Sequence, residues 1–246
     1  MSNDILLGLL FFVAALLYAS VGHGGASGYL AAMGLVGVDP HLMKPTALSL
    51  NILVSSIALF RFYRTGSFSW KLFLPLAATA IPFAYLGGTL SLPSHLYKPI
   101  VGVILVYAAI QSFRLAHTLT SETILKPVSI WMLLLVGAGL GLLSGLTGVG
   151  GGIFLSPLLL LMGWSTPRIV AGVAAAFILV NSMSGLVGVL STGAVLPHQL
   201  PFWLMAALVG GFVGATYGSS KLGDPILNKL LAIVLAIAGT KMIFNI

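Results

Sequence analysis

Residues 21–28 read Val-Gly-His-Gly-Gly-Ala-Ser-Gly, and residues 147–152 read Thr-Gly-Val-Gly-Gly-Gly. We call these stretches the first break and the second break, because each one ends a long apolar segment and opens an apolar segment too short for an ordinary membrane crossing. Glycine-rich backbone at membrane depth is tolerated only where it lines a cavity or is buried in protein. Two such breaks at corresponding positions of a duplicated chain indicate the binding site of a transporter.

The composition is that of an integral membrane protein. Hydrophobic residues make up 59% of the 246 residues and charged residues only 6%, whereas a soluble domain has about 25% charged residues. The chain therefore requires a lipid bilayer as its surroundings. The net charge is +7, but the basic residues are spread over short loops and form no contiguous patch, so we expect no nucleic-acid partner.

Apolar segments divide the chain into ten candidate helices. They cover about 4–21, 26–38, 45–60, 72–91, 98–113, 129–147, 153–164, 169–190, 200–220 and 226–244. A full crossing needs roughly 20 residues, so the segments 26–38 and 153–164 are too short to cross comfortably. The predicted fold is an all-α polytopic membrane protein with eight long transmembrane helices and two short or re-entrant helices that follow the breaks.

The two halves of the chain are related by an internal repeat. From Pro40 to Gly88 a constant offset of 127 residues pairs similar residues, for example Pro40 with Pro167 and Thr65-Gly66 with Thr192-Gly193. We predict a first repeat at 1–116, a connecting loop at 117–128 and a second repeat at 129–246, all in one membrane domain.

The distribution of positive charge predicts that the second repeat is inverted relative to the first. The loop 61–71 is basic, whereas its counterpart 191–199 contains no Lys or Arg. Because Lys and Arg favour the cytoplasmic side, these loops are expected on opposite sides of a cell membrane, which we take to be a bacterial inner membrane. This arrangement places eight basic residues inside and three outside, with both termini external. The inner group is Arg61, Arg64, Lys71, Arg114, Lys126, Arg168, Lys221 and Lys229, and the outer group is Lys44, Lys98 and Lys241.

The chain resembles the sulfite exporter TauE/SafE family of small membrane transporters. The resemblance is carried by the paired breaks, by Ala-Leu-Ser-Leu-Asn at 47–51, by the Arg-x-x-Arg-x-Gly loop at 61–66 and by Gly-Leu-Thr-Gly-Val-Gly-Gly-Gly at 145–152. It covers essentially the whole chain. It implies export of small sulfur-containing anions such as sulfite, thiosulfate or sulfonates.

Physical reasoning also indicates an anion. A helix that begins after a glycine turn points unpaired N–H groups and the positive end of its dipole at the break. Glycine lets its backbone approach a ligand closely, and buried hydroxyl and amide groups supply further hydrogen bonds. The predicted substrate-binding residues are Gly22, His23, Gly24, Gly25, Ser27, Asn51, Ser55, Thr147, Gly148, Gly150, Gly151, Asn181 and Ser182.

Structural roles compete with some of these assignments. Asn51, Asn181 and the neighbouring hydroxyls either coordinate an oxyanion or simply join helices. His23 either titrates and couples proton movement to transport or is satisfied by a neighbouring carbonyl. The glycines at 137, 141 and 145 recur every four residues, which is typical of close helix packing.

The favoured function is export of a small anion by alternating access. The four carboxylates fall at segment ends or in loops, which disfavours a pump built on intramembrane Asp or Glu. A passive anion channel is the main alternative. An intramembrane serine protease is a weaker one, because Gly25-Ala26-Ser27-Gly28 matches the G-x-S-G pattern of rhomboid proteases. We predict no enzymatic activity, no cofactor and no metal ligands, and a homodimer is compatible with the sequence.

Overall fold

The computed structural model describes residues 2–115, 126–220 and 225–244, and these ranges contain ten helices and no strand. The predicted connecting loop 117–128 falls mostly outside the described residues. The helices are α1 (Ser2–Ser20), α2 (Ala26–Val36), α3 (Pro40–Arg64), α4 (Trp70–Thr89), α5 (Ser94–Leu115), α6 (Ile130–Thr147), α7 (Gly152–Leu161), α8 (Pro167–Ser191), α9 (Leu200–Ser220) and α10 (Pro225–Phe244).

The prediction of an all-helical membrane protein is confirmed. Each of the ten predicted apolar segments overlaps one helix, and α2 and α7 are the short ones, with 11 and 10 residues. Six of the longer helices are both long and apolar enough to cross a bilayer, namely α1, α3, α4, α6, α8 and α9. The chain is therefore a multi-pass membrane protein, and a count of eight crossings stays a prediction.

The two longest helices, α3 and α8, pack against each other and lie between the other elements. Both have 25 residues, and both begin with proline at the first helical position. Proline suits that position because its ring fixes a helical φ and the missing N–H would have had no intrahelical acceptor. The Asp39 carboxylate adds a cap to α3 by accepting a hydrogen bond from the His41 N–H at 2.9 Å.

Glycine stripes bring neighbouring helices into backbone contact. The α6 stripe lies directly on backbone carbonyls of α4, pairing Gly137 with Leu76, Gly141 with Ala80 and Gly145 with Ala84. A side chain at any of the three positions would overlap α4. The glycine stripe of α6 therefore packs helices together, which is the small-residue packing expected in membranes.

Candidate substrate site at the glycine-rich breaks

The two breaks meet at one side chain, Asn51, near the middle of α3. A Cβ atom built on Gly24 would lie 2.5 Å from Asn51 Oδ1, and one built on Gly150 would lie 2.5 Å from Asn51 Nδ2. Ile178, near the middle of α8, is the other shared neighbour, at 2.9 Å from the first position and 3.0 Å from the second. Gly24 and Gly150, 126 residues apart in the chain, thus lie on either side of one amide group.

Glycine is required at the breaks because their backbone is left-handed. The φ angles are 78° at Gly22, 100° at Gly25, 83° at Gly148, 81° at Gly150 and 78° at Gly151. Side chains other than glycine rarely adopt such angles. The breaks therefore turn the chain sharply enough for α2 and α7 to begin inside the protein.

Glycine also occupies the N-cap positions of both short helices. Gly25 caps α2 and Gly151 caps α7, and among the described residues no side chain accepts a hydrogen bond at either cap. The first N–H groups of a helix have no intrahelical acceptor and carry the positive end of its dipole. Both helix ends thus present donors and positive potential to the interior.

Buried polar groups without partners concentrate near these helix ends. Asn51 and Asn181 are fully buried, with 0% exposure. Asn51 Nδ2 donates to Ser182 Oγ at 3.3 Å. Within the described ranges, Asn51 Oδ1 and both amide atoms of Asn181 have no hydrogen-bond partner. Such groups are rare in folded proteins and each calls for an explanation, for example a ligand.

The hydroxyl groups predicted at the breaks are bonded to protein in this structure. Ser55 Oγ donates to the Asn51 carbonyl oxygen at 2.5 Å, and Thr147 Oγ1 donates to the Leu143 carbonyl oxygen at 2.7 Å. Ser27 Oγ donates to the Tyr18 hydroxyl at 2.6 Å. The hydroxyl hydrogens of these three residues are therefore already engaged by the protein.

His23 is half-buried within the first break. Its Nδ1 lies 3.1 Å from the Val21 carbonyl oxygen. The ring lies against the start of α7, since a Cβ on Gly152 would be 3.6 Å from His23 Cδ2. The contact with Val21 agrees with the interpretation of a histidine satisfied by a neighbouring carbonyl, which the sequence left open.

Comparison with known proteins identifies the family. The profile of the sulfite exporter TauE/SafE family matches residues 7–242, nearly the whole chain. This chain belongs to the sulfite exporter TauE/SafE family. The family assignment confirms the resemblance carried by the breaks, and it makes the chain a member of a membrane transporter family.

Individual relatives of this TauE/SafE family member are named as transporters. The chain is 42% identical over 240 residues to probable membrane transporter protein y4hK of Sinorhizobium fredii, covering 97% of each chain. It is 28% identical over 194 residues to probable membrane transporter protein MJ0441 of Methanocaldococcus jannaschii, covering 73% of this chain and 70% of the relative. It is 23% identical to YdhB of Bacillus subtilis, also named a probable membrane transporter protein, over 96% of this chain and 98% of the relative. No solved structure matches.

Three tyrosines support the breaks of this family member and were not identified from the sequence. The Tyr29 hydroxyl donates to the Gly24 carbonyl oxygen at 2.9 Å, and the Tyr97 hydroxyl donates to the Thr147 carbonyl oxygen at 2.9 Å. Tyr18 accepts from Ser27. The tyrosines lie in otherwise apolar segments, so no local pattern distinguished them from lipid-facing aromatic residues.

Lys44 also has a role that the sequence did not indicate. Its ammonium group is buried and donates to the carbonyl oxygens of Gly87, Gly88 and Leu90, each at 3.1 Å. These carbonyls belong to the C-terminal end of α4, where a cation is favoured by the helix dipole. Lys44 therefore ties α3 to α4 in this structure.

Proposed function

We propose that this protein exports a small anion, with sulfite or a related sulfur oxyanion or organosulfonate as the substrate class. The observation that carries this proposal is the Asn51 amide between Gly24 and Gly150, beside the uncapped starts of α2 and α7. Each helix start is equivalent to roughly half a positive charge. Two helix starts together attract one anion without a buried arginine. A buried arginine would form a strong ion pair with the anion and slow its release.

The proposed driving force is the membrane potential. An inside-negative potential expels each negative charge with about 2.3 kcal/mol per 100 mV. Export of an anion along this gradient requires no coupling ion.

The proposed site lies between two inverted repeats, at 1–116 and 129–246. Equivalent contacts support this arrangement. Gly22 of the first break packs on the Ala171 backbone of α8, and Gly148 of the second break packs on the Lys44 backbone of α3. Ala171 and Lys44 are 127 residues apart, so each break contacts the same position of the opposite long helix.

Inversion predicts that Thr65 faces the cytoplasm and Thr192 the exterior. Both residues are exposed at the C-terminal ends of α3 and α8. Single cysteines at these positions of the cysteine-free chain are expected to react with an impermeant maleimide from opposite sides of oriented membrane vesicles. Labelling of both from the same side would contradict the inverted arrangement.

Unequal packing at the two ends of the long helices supports alternating access. A cavity of about 450 Å³ opens at the predicted external side, and its lining includes Lys44, Pro45, Thr192 and Ala194. The repeat counterparts of Pro45 and Ala194 are Gly172 and Ser67. These counterparts lie at the opposite, predicted cytoplasmic end of the long helices. There the Ser67 carbonyl packs directly on Gly172, and Ser67 is buried. In this proposal the cavity is the external vestibule of the transporter, and the contact between Ser67 and Gly172 closes the cytoplasmic end.

The variant Gly172→Ala is expected to open the cytoplasmic side. A Cβ at position 172 would overlap the Ser67 carbonyl oxygen. Overpacking of this kind costs about 1–3 kcal/mol, so the reactivity of a Ser67→Cys probe toward a cytoplasmic maleimide should rise about tenfold. Gly139→Ala is the matched control, because a Cβ there meets nothing within 4 Å among the described residues. Equal reactivity in both backgrounds would show that the contact is not a gate.

Transport by the purified protein in liposomes tests the proposed function. Sulfite, thiosulfate, sulfate, short sulfonates and carboxylates are loaded inside, and efflux is measured under an imposed potential. We expect saturable sulfite efflux that external sulfite accelerates by exchange. Efflux that rises linearly with concentration and shows no exchange would favour the passive channel, and no efflux of any of these anions would reject the proposal.

A serine protease is disfavoured by the partner of Ser27. Its hydroxyl donates to Tyr18, whereas nucleophilic serine requires an adjacent general base. The family and its named relatives are transporters.

A further inference from the structure

Several serine and threonine side chains in these helices bond to their own helix, whereas two buried serines have no partner among the described residues. Thr46, Ser49, Ser55, Ser56 and Thr147 each donate to the carbonyl oxygen four residues earlier. This local bond is the usual way in which a membrane helix satisfies a hydroxyl group. Across residues 2–115, 126–220 and 225–244, the buried hydroxyl groups without a partner are those of Ser144 and Ser156.

Ser144 lies next to the second break. It belongs to the last turn of α6 and has 1% exposure. Its Cβ is 3.5 Å from the place where a Cβ of residue 151 would be. Gly151 is the N-cap of α7, which no described side chain caps. The Ser144 hydroxyl, which has no partner among the described residues, therefore lies beside the start of α7, where no described side chain caps the first N–H groups.

The first break differs from the second in this respect. Its serine, Ser27, donates to Tyr18. The Gly24 carbonyl accepts from Tyr29. The two breaks were predicted to be equivalent, and each has a carbonyl oxygen that accepts from a tyrosine. They differ in the neighbouring serine, because Ser144, three residues before the second break, has no partner among the described residues.

We propose that the second break is the part of the site that contacts the substrate directly, and that Ser144 determines its specificity for oxyanions. This inference rests on the proposed function. One oxygen of the anion accepts from the Ser144 hydroxyl while another accepts from the N–H groups at the start of α7. The first break, held by Tyr18 and Tyr29, supports Asn51 from the other side.

This arrangement selects for ligands with at least two separated oxygen atoms. A sulfite or sulfonate group reaches both donors at once, whereas a halide has one acceptor centre and gains less from the second donor. A hydrogen bond to a charged group is stronger than one between neutral groups. Loss of the Ser144 hydroxyl should therefore change selectivity as well as affinity.

The test measures binding of sulfite and of bromide to the purified full-length protein, together with thermal stability. Ser144→Ala is expected to weaken sulfite binding about tenfold and to leave bromide binding within about twofold, with no loss of stability because an open buried hydroxyl is removed. Ser49→Ala, which deletes a locally bonded hydroxyl, is the matched control and should leave the affinity for both anions unchanged.

The outcomes separate this inference from the proposed function. If the wild-type protein binds sulfite and Ser144→Ala binds it with the same affinity, the proposed role of Ser144 is overturned while the proposed function stands. Absence of anion binding to the wild-type protein overturns both. Ser144→Cys, nearly equal in size to serine but a weak donor, serves if the alanine variant fails to fold. Failure of both variants to fold would assign Ser144 a purely structural role.

Discussion

Replacing Gly150 by valine is expected to abolish transport while leaving the protein in the membrane. The new Cβ would lie 2.5 Å from Asn51 Nδ2 and 3.0 Å from Ile178, so the side chain would occupy the junction of the two breaks. The φ angle of 81° is also strained for valine. Overpacking of this junction costs about 1–3 kcal/mol and the side chain takes the place of the anion, so sulfite efflux should fall about thirtyfold or more.

Gly193→Val is the matched control for this variant. Gly193 has a φ angle of 83°, but a Cβ there meets nothing within 4 Å in the part of the chain that the structure describes. It therefore carries the same backbone strain just after α8, at the wide external cavity and away from the junction of the breaks. Sulfite efflux in liposomes should remain close to that of the wild type. If Gly150→Val and Gly193→Val transport equally well, the junction of the breaks is not the substrate site.

Asn51→Leu is expected to weaken sulfite binding about tenfold or more. Loss of a hydrogen bond to a charged ligand costs roughly 1.5–3 kcal/mol, and leucine keeps the branched shape of asparagine with the same number of heavy atoms. Binding to the purified protein and thermal stability are measured on the same sample. We expect Asn181→Leu to act in the same direction, because both atoms of that buried amide lack a partner in the described residues.

The rival interpretation of Asn51 is that it only joins α3 to α8. Its one described side-chain partner is Ser182, at 3.3 Å. If joining helices were its whole role, Asn51→Leu and Ser182→Ala would lower stability by similar amounts and leave sulfite affinity unchanged. That result would remove Asn51 from the site. A loss of sulfite affinity much larger for Asn51→Leu than for Ser182→Ala would support its role in binding.

The positions of the break glycines could be predicted from the sequence because their signal is local. A glycine run between two apolar segments interrupts a helix wherever the chain lies, and the left-handed φ angles at Gly25 and Gly151 follow from the same residues. Asn51 was also identified, since an amide in an apolar segment needs a partner. The hydroxyl partners were not predictable in this way, because Tyr18 and Tyr97 reach the breaks only through the packing of α1 and α5.

The sequence by itself determined the membrane class, the ten helical segments and the two breaks, because hydropathy and glycine content act over a few neighbouring residues. The tertiary structure decided which polar groups meet. In the sequence, Ser144 lies within the glycine stripe of α6, where small residues indicate helix packing. Only the turn of the chain at Gly151 brings Ser144 next to the start of α7. Likewise, Asn51 lies between Gly24 and Gly150 because α3 and α8 pack together at the centre. Such contacts depend on how the helices rotate and approach one another. Residues that are far apart in the chain determine this together.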